Sequence, residues 1–303
     1  YDRASPALSV SSRRLSALHQ LQNKTAEGQL LVTTVNAALQ RVLTPFRIRE
    51  AVRELKPGIR IGYESLIGLL QRQGYSRTDT VVDTGEFAVR GSIFDIFPAG
   101  LDQGLRLDFF GDELESLRLF DPGTQRTTAT AESHLLLPAS EALLDEDTIK
   151  RFRSRYRETF GANATQDPLY QAVSDGRRLA GMEHWLPLFE DRLATLFDHL
   201  GKQDLVVIES GAIGAGEERL IDVEDYHRQR GETAGQAAGS YRPLPPDALY
   251  LSRHDFGQVL DERPVHRAVI FAEPESEKKP AARVVKKAPP SPEPEKPRIG
   301  GDP

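Results

Sequence analysis

The chain has 303 residues, 39% of them apolar, with a formal charge of −6, a pI near 5.7 and no cysteine. That length supports two or three domains, and the missing cysteines exclude disulfides, thiolate metal sites and cysteine nucleophiles, which fits a reducing cytoplasm. Net acidity opposes nonspecific nucleic-acid binding by the chain as a whole, and no apolar run approaches the roughly 20 residues that span a bilayer.

Ser5-Pro6 opens a helical spacing through Val10, Arg14, Leu18 and Leu21. Leu30 to Thr34 reads as a short buried strand, and Asn36 caps a helix over Ala37 to Leu43 that Pro45 stops. Strand followed by helix belongs to an α/β layer, of which only the last pieces are expected here, the remainder lying upstream of Tyr1. Leu66, Leu69 and Leu70 then mark a helix over Tyr63 to Gln73 that ends at Gly74. From Tyr75 to Phe120 the pattern changes to a period of two. Leu105, Leu107 and Phe109 alternate with Arg106, Asp108 and Phe110, Gly111-Asp112 turns the chain, and Leu114 to Phe120 returns as the partner strand. Phe87 to Phe97 is an apolar run broken at Gly91, where a bulge or close backbone approach is expected. The stretch is an antiparallel meander closed by Leu135-Leu136-Leu137, giving a sheet domain over 46–140.

Asp145-Glu146-Asp147 starts a helix with Ile149, Phe152, Tyr156 and Phe160 on one face. Lys150, Arg151, Arg153, Arg155 and Arg157 crowd its other faces, either as a helix-dipole pattern or as a nucleic-acid surface. Leu205 to Ile208 is an apolar strand, followed by a glycine-rich loop over 211–216 and a helix through Leu220, Val223 and Tyr226. From Glu273 onward eight prolines and no aromatic residue describe a disordered linker or tail, because such a segment has too little apolar surface to offset its ordering entropy.

Chemistry is sparse. The glycine spacing is G-x-x-G-x-G with no Lys-Ser/Thr after it, which fits neither phosphate-binding pattern. The seven histidines are scattered without zinc spacing, and no G-x-S-x-G elbow is present. Phe109-Phe110-Gly111-Asp112-Glu113 is weakly similar to an Asp-Glu magnesium element, but a hairpin turn accounts for it. Asp145, Glu146 and Asp147 lack the further ligands that a cation needs. No catalytic residue, cofactor site or metal site is expected in this fragment. Arg77 and Arg90 remain. Arg90 is out of phase with Phe87 and Val89, so it projects from the open face if those two face the core. Four arginines against nine acids between 75 and 120 make a protein partner a better fit than DNA.

Particular segments carry a family resemblance: Tyr1 to Pro6, Val32 to Arg41, Gly85 to Gly91, Arg106 to Glu113, Asp121 to Arg126, Leu136 to Glu141 and Ala180 to Phe189. Together, over about 1–260, they resemble the N-terminal UvrB-like region of the bacterial transcription-repair coupling factors (Mfd). The patterns Val89-Arg90-Gly91 and Phe109 to Glu113 are shared with UvrB, whereas Gly181 to Trp185 and the short helix after Pro6 favour the coupling factors. The resemblance implies a mixed α/β and α+β multidomain fold with an antiparallel sheet domain inserted in an α/β domain. Residues 1–45 would end domain 1a, 46–140 would match the UvrA-binding domain 2 of UvrB, 141–271 would match domain 1b, and 272–303 would be tail. It implies UvrA as partner, with Arg77 and Arg90 at the family's UvrA-contacting arginines; Phe94 is read as the apolar anchor beside them. It also implies ATP, magnesium, RNA polymerase and double-stranded DNA as ligands of translocase and polymerase-binding domains that this fragment lacks. The alternative is a UvrB-like module that contacts DNA without recruiting UvrA.

Overall fold

Helices α1 (Leu8–Leu21), α2 (Val35–Ala38) and α3 (Pro45–Ala51) open the computed structural model, which describes residues 7–23, 28–233 and 242–268. The expected Ser5-Pro6 cap and the tail from 273 lie outside the described residues. α1 buries Leu15 and Leu18 with Ser11, Ser12 and Ser16, a stripe displaced from the expected one, and Val10 is exposed. Leu30 to Thr34 corrects the sequence reading. It forms no strand, and Leu30 and Val32 are 89% and 84% exposed, because among the described strands none pairs with it. The cap also moves: Thr34 Oγ1, not Asn36, accepts the Ala37 amide at 3.3 Å. Pro45 starts a helix where it was expected to stop one. Its missing N–H is costless at the first helical position, and Thr44 Oγ1 caps that helix by accepting the Arg47 amide at 3.1 Å.

β1 (Arg53–Leu55) leads into α4 (Tyr63–Arg72) and then a six-stranded sheet. Its strands, in spatial as in chain order, are β2 (Ser76–Arg77), β3 (Glu86–Arg90), β4 (Ile93–Ile96), β5 (Gly104–Phe110), β6 (Glu113–Phe120) and β7 (Thr127–Ala131). All neighbours are antiparallel except β2 and β3. Gly91 is not a bulge: with φ +62° it turns β3 into β4, splitting the expected single run in two. The register shifts lie at Asp108/Phe109 and Leu119/Phe120. β8 (His134–Leu136) pairs with β1 and not with the large sheet, so the two strands form a neck where the chain enters and leaves. One face of the sheet, carrying Phe87, Phe94, Ile96, Leu105, Leu107 and Leu117, packs on Leu66, Ile67 and Leu70 of α4. Each such buried side chain contributes on the order of 1.5–3 kcal/mol.

A second core is helical. α5 (Glu146–Phe160), capped by Asp145, lays Phe152 and Tyr156 against α6 (Pro168–Ser174) and α7 (Leu186–Phe189), with Phe152 stacked on Phe189 at 4.6 Å between centroids. Leu15, Leu43 and Ile48 of the first helices complete it. β9 (Val206–Glu209) follows, then α8 (Ala212–Thr233), α9 (Pro246–Leu249), α10 (Arg253–Asp261) and β10 (Val265–Ala268), which pairs parallel to β9. Phe197, Leu251, Ala38 and Leu39 form the small core beneath them.

Candidate functional site

Alternation along β3 to β6 sorts side chains onto two faces. Phe87, Val89, Phe94 and Leu107 share the face that packs on α4, while Ala88, Arg90, Asp95, Arg106 and Arg118 share the other. At the centre of that second face Asp95 is 1% exposed. Arg106 grips it with two parallel bonds, Nε to Oδ1 at 2.7 Å and Nη2 to Oδ2 at 3.0 Å, and Arg90 Nη2 also donates to Oδ2. The Arg106 guanidinium lies 4.8 Å over the Phe120 ring, and its bonds to Asp95 raise its pKa further. Two cations on one carboxylate leave the cluster positive. The Arg106 side chain is 16% exposed and that of Arg90 51%, so Arg90 is oriented by the protein yet open to a partner. Beside them Arg118 Nη2 meets Asp108 Oδ2 at 2.9 Å.

Phe110 completes the face. It follows Arg106 and Asp108 in the β5 alternation, sits at the turn into β6, and is 76% exposed. The sequence reading missed it as an anchor, although the signal was present: if Phe109 points inward, Phe110 points outward. Phe94, the expected anchor, faces the other way. It is 1% exposed, edge-on to Tyr63 at 5.0 Å and to Phe109 at 5.4 Å, because its partner across the strand is Val89 and not Arg90. Arg77 is exposed and makes no side-chain hydrogen bond or ion pair among the described residues. Its register partner is Phe87, so it leaves the edge strand on the phase of the core face. The two arginines therefore leave the sheet on opposite faces.

The other candidates are spent on structure. Arg151 Nε pairs with Asp191 at 2.8 Å and Arg155 Nη1 donates to the Pro187 carbonyl at 3.1 Å, so two of the five cations of the basic helix fasten the 187–191 segment; Lys150, Arg153 and Arg157 stay exposed. The glycine-rich stretch is not a loop ahead of a helix. α8 begins at Ala212, so Gly214 and Gly216 lie within it, and the Gly211 amide donates to Glu209 Oε2 at 2.9 Å. A carboxylate of the chain thus occupies the place an anion would take. Asp145 accepts the Thr148 amide at 2.9 Å and pairs with Arg47, while Glu113 pairs with Arg60 at 3.0 Å.

Residues 54–141 match the family described as the UvrB interaction domain. Over 267 residues the chain is 37% identical to the transcription-repair-coupling factor of Haemophilus influenzae, covering 87% of this chain and 22% of that protein. It is 37% identical over 254 residues to that of Escherichia coli, covering 83% and 21%, and 34% identical over 274 residues to that of Myxococcus xanthus, covering 86% and 22%. The chain spans about a fifth of the length of these curated relatives.

Proposed function

Because this chain is homologous to part of the transcription-repair-coupling factors and carries a UvrB interaction domain, we propose that its sheet module, residues 46–140, recruits UvrA during transcription-coupled excision repair. The observation that carries the reading is the half-exposed Arg90, fixed by buried Asp95, on the same face of the sheet as the exposed ring of Phe110. Arginine and aromatic side chains dominate protein interfaces, and a guanidinium already held in place loses little freedom on binding a carboxylate. The partner surface is therefore acidic, with an apolar recess for Phe110. Arg77 adds a contact from the other side of the sheet edge, and Phe94 acts only by keeping the sheet packed. In this proposal the sheet docks its partner without nucleotide or metal, and ATP and magnesium, RNA polymerase and double-stranded DNA belong to the four-fifths or so of the relatives that this chain does not span.

UvrA affinity of the wild-type chain and of Arg90→Ala, Phe110→Ala and Arg77→Ala, with matched melting curves, tests this. Arg90→Ala leaves Asp95 held by both Arg106 bonds, so the fold survives. Loss of about 2 kcal/mol or more is expected at each of Arg90 and Phe110, about thirtyfold in Kd apiece. Unchanged affinity in both variants places the docking surface elsewhere.

A further inference from the structure

The sheet core and the aromatic helical core are separate clusters, and the chain crosses between them at Val52–Arg53, at Ala99 and along 137–144. The crossing segment 137–144 is held by hydrogen bonds to the end of α4 and the residues just after it. Tyr75 donates its hydroxyl to the Leu137 carbonyl at 2.6 Å, the amides of Ala139 and Ser140 donate to the Gln73 carbonyl at 2.9 and 3.2 Å, and the Leu144 amide donates to the Arg72 carbonyl at 3.1 Å. Across this line reaches Arg178, from the segment that follows α6. Its Nη2 donates to the carbonyls of Ala142 at 2.6 Å and Arg72 at 3.0 Å, and its Nη1 to Ser140 Oγ at 3.1 Å. Burial pushes its pKa down to about 10, which leaves it charged at neutral pH, and the last carbonyls of α4 supply the negative end of a helix dipole to meet that charge. One cation thus ties the end of the sheet module's helix to the helical body. Across the seam Ala99, Leu137, Ala142 and Leu144 enter the helical core, Leu8 lies against Gly85 and Ser16 against Gly100. Seams of this kind resemble transient interfaces more than domain cores, and they open at lower free energy than the modules they join.

We propose that this seam, with Arg178 as its latch, is a joint that fixes the angle between the docking sheet and the helical body, and that it opens as a unit about the β1–β8 neck. The inference concerns orientation and stands whether or not UvrA is the partner.

Two measurements on the whole chain test it. In native-state hydrogen exchange the amides of Ala139, Ser140 and Leu144 are expected to open together, with protection at least about tenfold below that of amides inside β5, β6 and α5. Protection equal to those core amides overturns the joint. Second, the chain has no native cysteine, so spin labels at Glu132→Cys and Lys150→Cys report one distance between the modules. The distribution is expected to be narrow in the otherwise wild-type chain and broadened by Arg178→Met, with the far-ultraviolet spectrum of both unchanged. A narrow, unshifted distribution in folded Arg178→Met refutes the latch. Should Arg178→Met fail to fold, the exchange pattern of the native chain decides.

Discussion

Asp95 has almost no contact with solvent, yet it decides where two arginines point. Removing it leaves Arg106 largely buried without a counter-charge, and breaking such a pair from one side costs about 3–5 kcal/mol. Asp95→Ala is therefore expected to lower the urea midpoint strongly, whereas Arg90→Ala, which removes the more exposed partner, changes it by less than about 1 kcal/mol. Two carboxylates that share Arg47, Asp145 and Glu190, give opposite pH signs. Burial pushes the Asp145 carboxyl up, but the Thr148 amide and Arg47 outweigh it and hold it below its ordinary value. Its contribution is present above the ordinary aspartate value of about 3.9 and is lost as pH falls through the lower folded value. Burial also pushes Glu190 up, and there Arg47 offsets it only in part. The folded chain keeps that proton longer, so ionisation of Glu190 removes stability as pH rises from about 4.3 through the raised value. Urea titrations across pH should show Asp145→Ala losing about 1–2 kcal/mol at pH 7, a gap that closes in acid. Glu190→Gln should flatten the profile above about pH 4.3 with little loss at neutrality.

At the scale of elements, periodicity was readable wherever a segment packs against something within the chain. Leu105 to Phe109 alternates because one side of β5 meets α4, and the α5 stripe of Phe152 and Tyr156 meets α6 and α7. Leu30 to Thr34 has the composition of a buried strand without a partner among the described strands, so composition alone misled. Arg90 was legible from phase, while Phe94 was misplaced because nearness in sequence was taken for a shared face across a turn that Gly91 makes. The Asp95 cluster was not legible at all, since it depends on register across three strands. Register also explains Gly104, whose Cα faces the Phe120 ring: a Cβ there would lie 2.2 Å from ring carbon Cζ. Gly104→Ala must displace the ring that Arg106 lies over, an overpacking cost of about 1–3 kcal/mol. Thermal unfolding measures this cost; an unchanged melting point would mean that the ring moves freely.

For the whole molecule, the open question is which charged surface faces a partner, since the sheet cluster and α5 both present arginines. The two surfaces predict different physics. A nucleic-acid surface gains affinity by releasing counterions, so each phosphate contact adds about 0.9 to the slope of log K against log salt. Of the basic residues of α5 only Lys150, Arg153 and Arg157 are exposed, with Glu146 a turn before Lys150 and Glu158 beside Arg157, while Arg151 and Arg155 are engaged with the 187–191 segment. At most three contacts remain, in a chain of net charge −6. The expected slope for duplex DNA is thus no steeper than about −3, and so few phosphate contacts supply little affinity. The sheet cluster instead fixes one guanidinium on the face that also carries one exposed aromatic ring, which suits a shaped protein surface. The triple variant Lys150→Ala/Arg153→Ala/Arg157→Ala is therefore expected to leave UvrA affinity within about twofold, below the 1.4 kcal/mol that a tenfold change represents, while abolishing any residual DNA binding. DNA affinity that survives 150 mM salt, about where the Debye length is 8 Å, and that disappears in this variant would instead make α5 the working surface of the fragment.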